Sequence, residues 1–110
     1  MRGDELEINI TDREDCTVIK FNKSSVLGTE GVAFQDSILN TLDKGVNSIV
    51  IDMSMVEYIT SWGIGMLVHA FTTTTNRNSQ FSLSGVSTKV HSILTKVKLD
   101  TIFHITDLSY

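Results

Sequence analysis

The residues best placed for chemistry are a hydroxyl pair, Thr60 and Ser61, followed by Trp62 and Gly63. An apolar run with helical spacing starts directly after them, so this junction is predicted to begin a helix. Ser61 is then a candidate N-cap, because its hydroxyl oxygen can accept from a backbone N–H group that the helix leaves unpaired. A phosphate on Ser61 would suit the same place, since the N–H groups and the helix dipole favour an anion. From the residues alone, the cap is favoured over the regulatory phosphate.

The sequence carries no motif typical of a known catalytic or metal site. The P-loop lysine pattern is missing, and "GIG" is too short for a dinucleotide fingerprint. The three histidines and the single cysteine lack the spacing of metal ligands. Asp52, which ends a predicted strand, is interpreted as a loop-anchoring acceptor ahead of a direct site role. We therefore predict no enzyme activity, no cofactor and no metal.

Composition limits the class of protein. The chain has 110 residues, of which 41% are hydrophobic and 20% charged, so we expect one globular domain over residues 1–110. The net charge of −4 argues against a nucleic-acid surface. No basic amphipathic helix and no apolar run near the roughly 20 residues of a membrane span are present, so direct membrane binding is not expected. A single cysteine favours a reducing, cytoplasmic location.

The first half of the chain predicts a hairpin and a helix. The segment "LEINI" alternates, which places Leu6, Ile8 and Ile10 on one face of a strand. "CTVIKF" is rich in β-branched residues and is predicted to be its antiparallel partner. A helix is expected over residues 31–44, with Thr29 as its cap, Glu30 near its dipole and Lys44-Gly45 as its stop. Its inner face should carry Phe34, Ile38, Leu39 and Leu42.

The second half alternates strands with helices. Residues 48–53 form a continuous apolar run, typical of a central strand covered on both faces. A helix from Ser61 should weaken in the threonine tract at 72–75 and stop within 76–78. A strand near residues 80–85, a helix from Thr88 and a short edge segment follow. The inward positions should be Ile64, Leu67, Val68, Phe71, Phe81, Leu83, Val90, Ile93, Leu94 and Val97.

The predicted order is thus β-β-α-β-α-β-α, an α/β fold with a mixed sheet and helices packed on it. In such sheets the loops beyond the carboxyl ends of the strands tend to carry function. Residues 22–31 and 54–63 are both such loops, and we expect them to lie side by side.

The segment "VNSIVIDMSMVEYITSWGIGMLV" resembles the signature region of the STAS domain, the fold of bacterial anti-sigma factor antagonists. That signature runs from an apolar strand ending in Asp to a hydroxyl pair and a Gly-aliphatic-Gly helix start. The matching residues are Asp52, Ser54, Val56, Tyr58, Ile59, Ser61, Gly63, Ile64, Gly65 and Leu67. The predicted element order agrees along nearly the whole chain, and residues 90–105 resemble the next helix and tail of the family.

The resemblance implies a function without catalysis. In the family, the unphosphorylated antagonist binds a kinase-type anti-sigma factor and so frees the sigma factor for transcription. The partner phosphorylates a Ser or Thr at the start of the second helix, the added charge breaks the complex, and a phosphatase reverses the modification. Ser61 would be the acceptor here.

The sequence departs from the family pattern at two places. An Asp usually precedes two hydroxyl residues, and the hydroxyl directly before Gly takes the phosphate; here Thr60 stands in the Asp position and Trp62 in the acceptor position. Ser61 is displaced from that position by one residue, which rotates a helical side chain by about 100°. The loop after the second strand is usually acidic, whereas here it offers only Glu30.

The expected partner-binding face combines the loops 23–30 and 55–64, with Trp62 as its aromatic anchor. Its members are Lys23, Ser25, Leu27, Gly28, Thr29, Glu30, Met55, Glu57, Tyr58, Ile59, Thr60, Trp62, Gly63 and Ile64. Asp52, Ser54 and Gly65 are expected to be structural at the site, and small residues such as Gly63 and Gly65 would let the helix lie close to the sheet. The alternative interpretation is that Trp62 packs into the core.

Two other functions remain open. One is a non-catalytic STAS subunit of a signalling scaffold or a lipid-transport complex, which needs the surface around Trp62 but no phosphorylation. The other is a small enzyme or nucleotide-binding domain, which the missing motifs disfavour.

Overall fold

The fold is α/β, with helices packed on a mixed sheet, and the computed structural model describes residues 8–26 and 31–106. The elements in chain order are β1 (Ile8–Asp12), β2 (Cys16–Phe21), β3 (Ser25–Val26), α1 (Gly31–Asp43), β4 (Ser48–Asp52), β5 (Tyr58–Ile59), α2 (Ser61–Asn76), β6 (Gln80–Ser84), α3 (Thr88–Lys96) and β7 (His104–Thr106). This confirms the predicted order and the short edge segment. The structure adds β3 and β5, two-residue strands inside segments that were expected to be loops.

The main sheet has the strand order β1-β2-β4-β6-β7. β1 is antiparallel to β2, and the remaining neighbours are parallel, so the sheet is mixed as predicted. The connections through α1, α2 and α3 all step in the same direction across the sheet. Because such crossovers are right-handed, the three helices share one face of the sheet.

The core lies between that face and the helices. Ile49 and Ile51 of β4 are fully buried in it, whereas Val50 points to the opposite face and lies outside the core cluster. Val50 is nevertheless buried, so the burial of β4 agrees with the prediction of a strand covered on both faces, although the three helices all lie on one face. The core residues from the helices are Phe34, Ile38, Leu42, Leu67, Ala70, Val90 and Leu94. Ile64, Val68, Phe71 and Ile93 are partly buried against the same cluster.

Three apolar residues predicted to face inward do not. Ile10 is 47% exposed because β1 is an edge strand with a neighbour on one side only. Leu39 is 39% exposed, beside the buried row of α1, and Val97 is 49% exposed because α3 has already ended there. Leu6 lies outside the described residues.

The helix ends agree closely with prediction. α1 ends at Asp43, and Gly45 then adopts a left-handed φ of 81°, with its N–H donating to the Leu42 carbonyl at 2.9 Å. α2 continues through the threonine tract and ends at Asn76, within the predicted stop. The Thr72, Thr73 and Thr75 hydroxyls donate to carbonyls one turn earlier, so their hydrogen bonds form within the helix, at a slight cost to its stability.

Candidate functional site

Two segments beyond the carboxyl ends of β2 and β4 meet as a small second sheet. β3 and β5 pair in parallel, with Ser25 opposite Tyr58 and Val26 opposite Ile59. The Glu57 N–H donates to the Ser24 carbonyl at 2.7 Å, and the Thr60 N–H donates to the Val26 carbonyl at 3.0 Å. The expectation that the two loops lie side by side is confirmed for these residues. Leu27, Gly28, Thr29 and Glu30 lie outside the described residues.

Asp52 and Ser54 shape the turn after β4. The Ser54 N–H donates to Asp52 Oδ1 at 2.9 Å, which confirms the loop-anchoring interpretation of Asp52. Ser54 packs against Gly85, which has a φ of 65°, and a Cβ on Gly85 would lie 2.9 Å from the Ser54 Cβ. The turn is therefore held both by the carboxylate and by a close backbone contact with the chain after β6.

Thr60, and not Ser61, caps α2. Its backbone is extended, and its Oγ1 accepts from the Gly63 N–H at 3.1 Å. The prediction that Ser61 is the N-cap is therefore wrong by one residue. The bond from the Thr60 N–H to Val26 keeps Thr60 in an extended conformation, so the helical conformation starts at Ser61. The Ser61 side chain is exposed on the first turn, and its hydroxyl is not needed as the cap.

Alanine substitutions should therefore distinguish the contributions of the Thr60 and Ser61 hydroxyls to stability. Thr60→Ala is expected to lower the free energy of unfolding by about 1 kcal/mol, because the Gly63 N–H loses its side-chain acceptor. Ser61→Ala, the matched control, should change it by less than about 0.5 kcal/mol, as expected for an exposed position. Urea denaturation followed by circular dichroism measures both. The reverse order of effects would contradict the cap at Thr60.

Gly63 and Gly65, two residues apart on α2, have different surroundings. A Cβ on Gly63 would lie 2.6 Å from the Val26 carbonyl oxygen and 2.9 Å from Ile59 Cγ1. A Cβ on Gly65 would meet nothing within 4 Å. Gly63 thus lets α2 lie against β3 as predicted, but the same packing role is wrong for Gly65, which is exposed.

Alanine substitutions at these two glycines should change stability in opposite directions. Gly63→Ala is expected to destabilise the fold by roughly 2 kcal/mol, because the new methyl group overlaps backbone. Gly65→Ala is expected to stabilise it by up to about 1 kcal/mol, because alanine has the higher helix propensity and here has free space. Thermal or urea denaturation of both variants under one set of conditions checks the pair. Destabilisation by Gly65→Ala would show a close contact at that position.

Apolar side chains are exposed around Ser61. Trp62 is 81% exposed, Tyr58 49% and Met55 47%, so the structure places Trp62 on the surface rather than in the core. Glu57 is also exposed, while Lys23, Ser25, Thr60 and Ile64 are half-buried. Ile59 and Gly63 are buried, which corrects their inclusion in the partner-binding face, because they offer no surface to a partner.

A groove of about 460 Å³ opens next to Trp62, between the N-terminal parts of α1 and α2. Its lining residues are Gly31, Gln35, Ser61, Trp62, Gly65, Met66 and His69. Sequence reasoning missed Gly31, Gln35, Met66 and His69. Helical spacing relates the residues within each helix (31 and 35; 61, 65 and 69), but only the packing of α1 on α2 brings the two rows together.

Within ranges 8–26 and 31–106, no group of three or more His, Cys, Asp or Glu side chains could hold a metal ion. Among the described helices, none has the length and apolar character needed to cross a membrane.

Comparisons with known proteins agree on the fold. The profile of the STAS domain matches residues 7–108. A crystal structure of a putative anti-sigma factor antagonist from Thermotoga maritima has a TM-score of 0.81 at 25% identity, covering 92% of this chain and 86% of that one. An anti-sigma-factor antagonist (STAS) domain protein from Planctomyces limnophilus has a TM-score of 0.79 at 22% identity, covering 93% and 90%. A chain of the stressosome, a signal integration and transduction hub, has a TM-score of 0.70 at 21% identity, covering 88% and 85%.

Proposed function

The chain belongs to the STAS domain family, and from this we propose that it is an anti-sigma factor antagonist that binds a kinase-type anti-sigma factor. Binding occupies the anti-sigma factor and so releases the sigma factor for transcription. Phosphorylation of Ser61 by the partner ends the complex, and a phosphatase restores it. The domain is a cytoplasmic ligand and substrate, with no catalytic residue of its own.

The observation that carries this proposal is the placement of Ser61. Its side chain is exposed at the first residue of α2, and the capping bond is made by Thr60 instead. A kinase can therefore reach the hydroxyl without breaking the helix start. Trp62, which is 81% exposed, lies beside it as an apolar anchor for the same partner.

The charge of a phosphate explains how such a modification would separate the partners. It adds about −1.5 to −2 charge at a helix N-terminus, where the dipole and unpaired N–H groups favour an anion, so the free protein tolerates it. In the complex the same charge would be covered by the partner and by the apolar side chains around Trp62. An unpaired ion buried in this way costs several kcal/mol. The modification therefore acts on binding rather than on folding.

The second candidate is a non-catalytic STAS subunit of a signalling scaffold or a lipid-transport complex. Trp62 favours this candidate, because it stands where the family usually carries the phosphate acceptor. The likeness to a stressosome chain is compatible with a scaffold subunit, although at 21% identity it shows the fold alone. In this function the surface around Trp62 would be used without phosphorylation of Ser61.

The two candidates are separated by the identity of the bound partner and the position of phosphate. The tagged chain is purified from its native cells, its partners are identified, and the purified complex is incubated with ATP. Mass spectrometry is expected to find a kinase-like partner and phosphate on Ser61, with no phosphate on the Ser61→Ala control. Scaffold or transporter subunits together with an unmodified Ser61 would contradict the proposal.

A further inference from the structure

The groove between α1 and α2 is lined by Trp62, the anchor of the expected partner-binding face, and by Ser61, the proposed phosphate acceptor. We infer that it receives an uncharged, apolar side chain of the protein that contacts Ser61, and that Gly65 keeps it open for that side chain. The inference rests on the proposed function, because the partner of Ser61 is the molecule that lies over the groove.

Two glycines leave the groove open without a structural need for them. Gly31 on α1 and Gly65 on α2 both line it, and a Cβ on either would meet nothing within 4 Å. Neither has the left-handed backbone that requires glycine, which is found at Gly45 and Gly85. A glycine inside a helix is unfavourable relative to alanine. Gly65 lies inside α2, so its unfavourable helix propensity is not offset by closer packing or by turn geometry.

The chemistry of the lining selects the occupant. Trp62 and Met66 provide the large apolar surface, and a methionine thioether adapts its shape to an inserted group. The polar residues of the groove are Gln35, whose amide donates to Thr73 Oγ1 at 3.2 Å, together with Ser61 and His69. Among the lining residues in ranges 8–26 and 31–106, none is an Asp, Glu, Lys or Arg that could pair with a charge. An aliphatic or aromatic side chain therefore fits better than a charged one.

A side chain that fills the groove is expected to raise stability and to weaken partner binding. Gly65→Leu is expected to raise the midpoint of thermal unfolding, because leucine is a better helix former, and to weaken the dissociation constant at least tenfold, because its side chain occupies the groove. Gly65→Ala should lie between wild type and Gly65→Leu in affinity. Thr72→Leu, an exposed substitution on α2 that does not line the groove, is the matched control and should leave affinity unchanged. Isothermal titration with the purified kinase-type partner measures the affinities.

A second measurement, ¹⁹F NMR of Trp62, reports on the groove directly. Trp62 is the only tryptophan of the chain, so 5-fluorotryptophan labelling gives a single ¹⁹F resonance at the groove. Addition of the partner to wild type should shift that resonance. Wild-type affinity for Gly65→Leu overturns the inference even if the resonance shifts, since the partner then covers Trp62 without entering the groove. If wild type binds and is phosphorylated but the resonance does not move, the proposed function stands and the inference fails. If no kinase-type partner binds wild type, both fail.

Discussion

Ser61→Asp is expected to abolish binding to the kinase-type partner while α2 stays folded. The carboxylate would lie at the first residue of the helix, where the dipole favours a negative charge by about 0.3–1 kcal/mol. Covering the same charge with a partner and with Trp62 would leave an ion unpaired, which costs several kcal/mol. Binding should therefore fall below detection in isothermal titration, with an unchanged or slightly higher unfolding midpoint.

The control for charge is Ser61→Asn, which has nearly the shape of the aspartate but no charge. It should retain more affinity than Ser61→Asp, and Ser61→Ala should bind constitutively and resist ATP-dependent release. Ser61→Ala should also leave stability nearly unchanged, because the cap belongs to Thr60. If Ser61→Asp bound as tightly as wild type, negative charge at this position would not be the switch.

Trp62→Ala is expected to weaken partner binding by at least about 2 kcal/mol, or roughly thirtyfold, because a large exposed aromatic often dominates an interface. Its exposed fraction of 81% means that the folded protein loses little packing when the ring is removed. The free energy of unfolding should therefore stay within about 0.5 kcal/mol of wild type. Titration calorimetry and urea denaturation measure the two quantities on the same preparations.

Ile102→Ala is the matched control for Trp62→Ala. Ile102 is 50% exposed and precedes the amino end of β7. Because β4, β6 and β7 are parallel, this position lies at the opposite end of the strands from the carboxyl end of β4, which leads to Ser61. Its replacement should leave affinity unchanged. If Trp62→Ala instead reduced stability and binding in parallel, its effect would arise from folding, and Trp62 would not be a binding anchor.

Most of the fold could be predicted from local patterns. The bounds of β2 agree residue for residue with "CTVIKF", because β-branched residues and alternation act within a few positions. The buried row Phe34, Ile38 and Leu42 follows from helical spacing in the same way. The signature between Asp52 and Leu67 indicated the STAS family, and the match over residues 7–108 confirms it.

The site itself depended on contacts between distant parts of the chain. Thr60 and Ser61 are both good capping residues, and the sequence does not distinguish them. The pairing of β3 with β5 does, because the Val26 carbonyl holds the Thr60 N–H and keeps that residue extended. Ser61 is thereby left in the first helical turn with its side chain exposed.

By itself the sequence determined the order of the helices and of the main-sheet strands, the buried helical rows, the family and the neighbourhood of Ser61, because these follow from short-range periodicity and a contiguous motif. Only the tertiary structure decided which of two similar glycines is packed. Gly63 packs against Val26 of β3, which is distant in the sequence. Gly65 instead faces the open groove between α1 and α2. The difference arises because a glycine's neighbours in space, unlike its helix propensity, depend on elements far away in the chain.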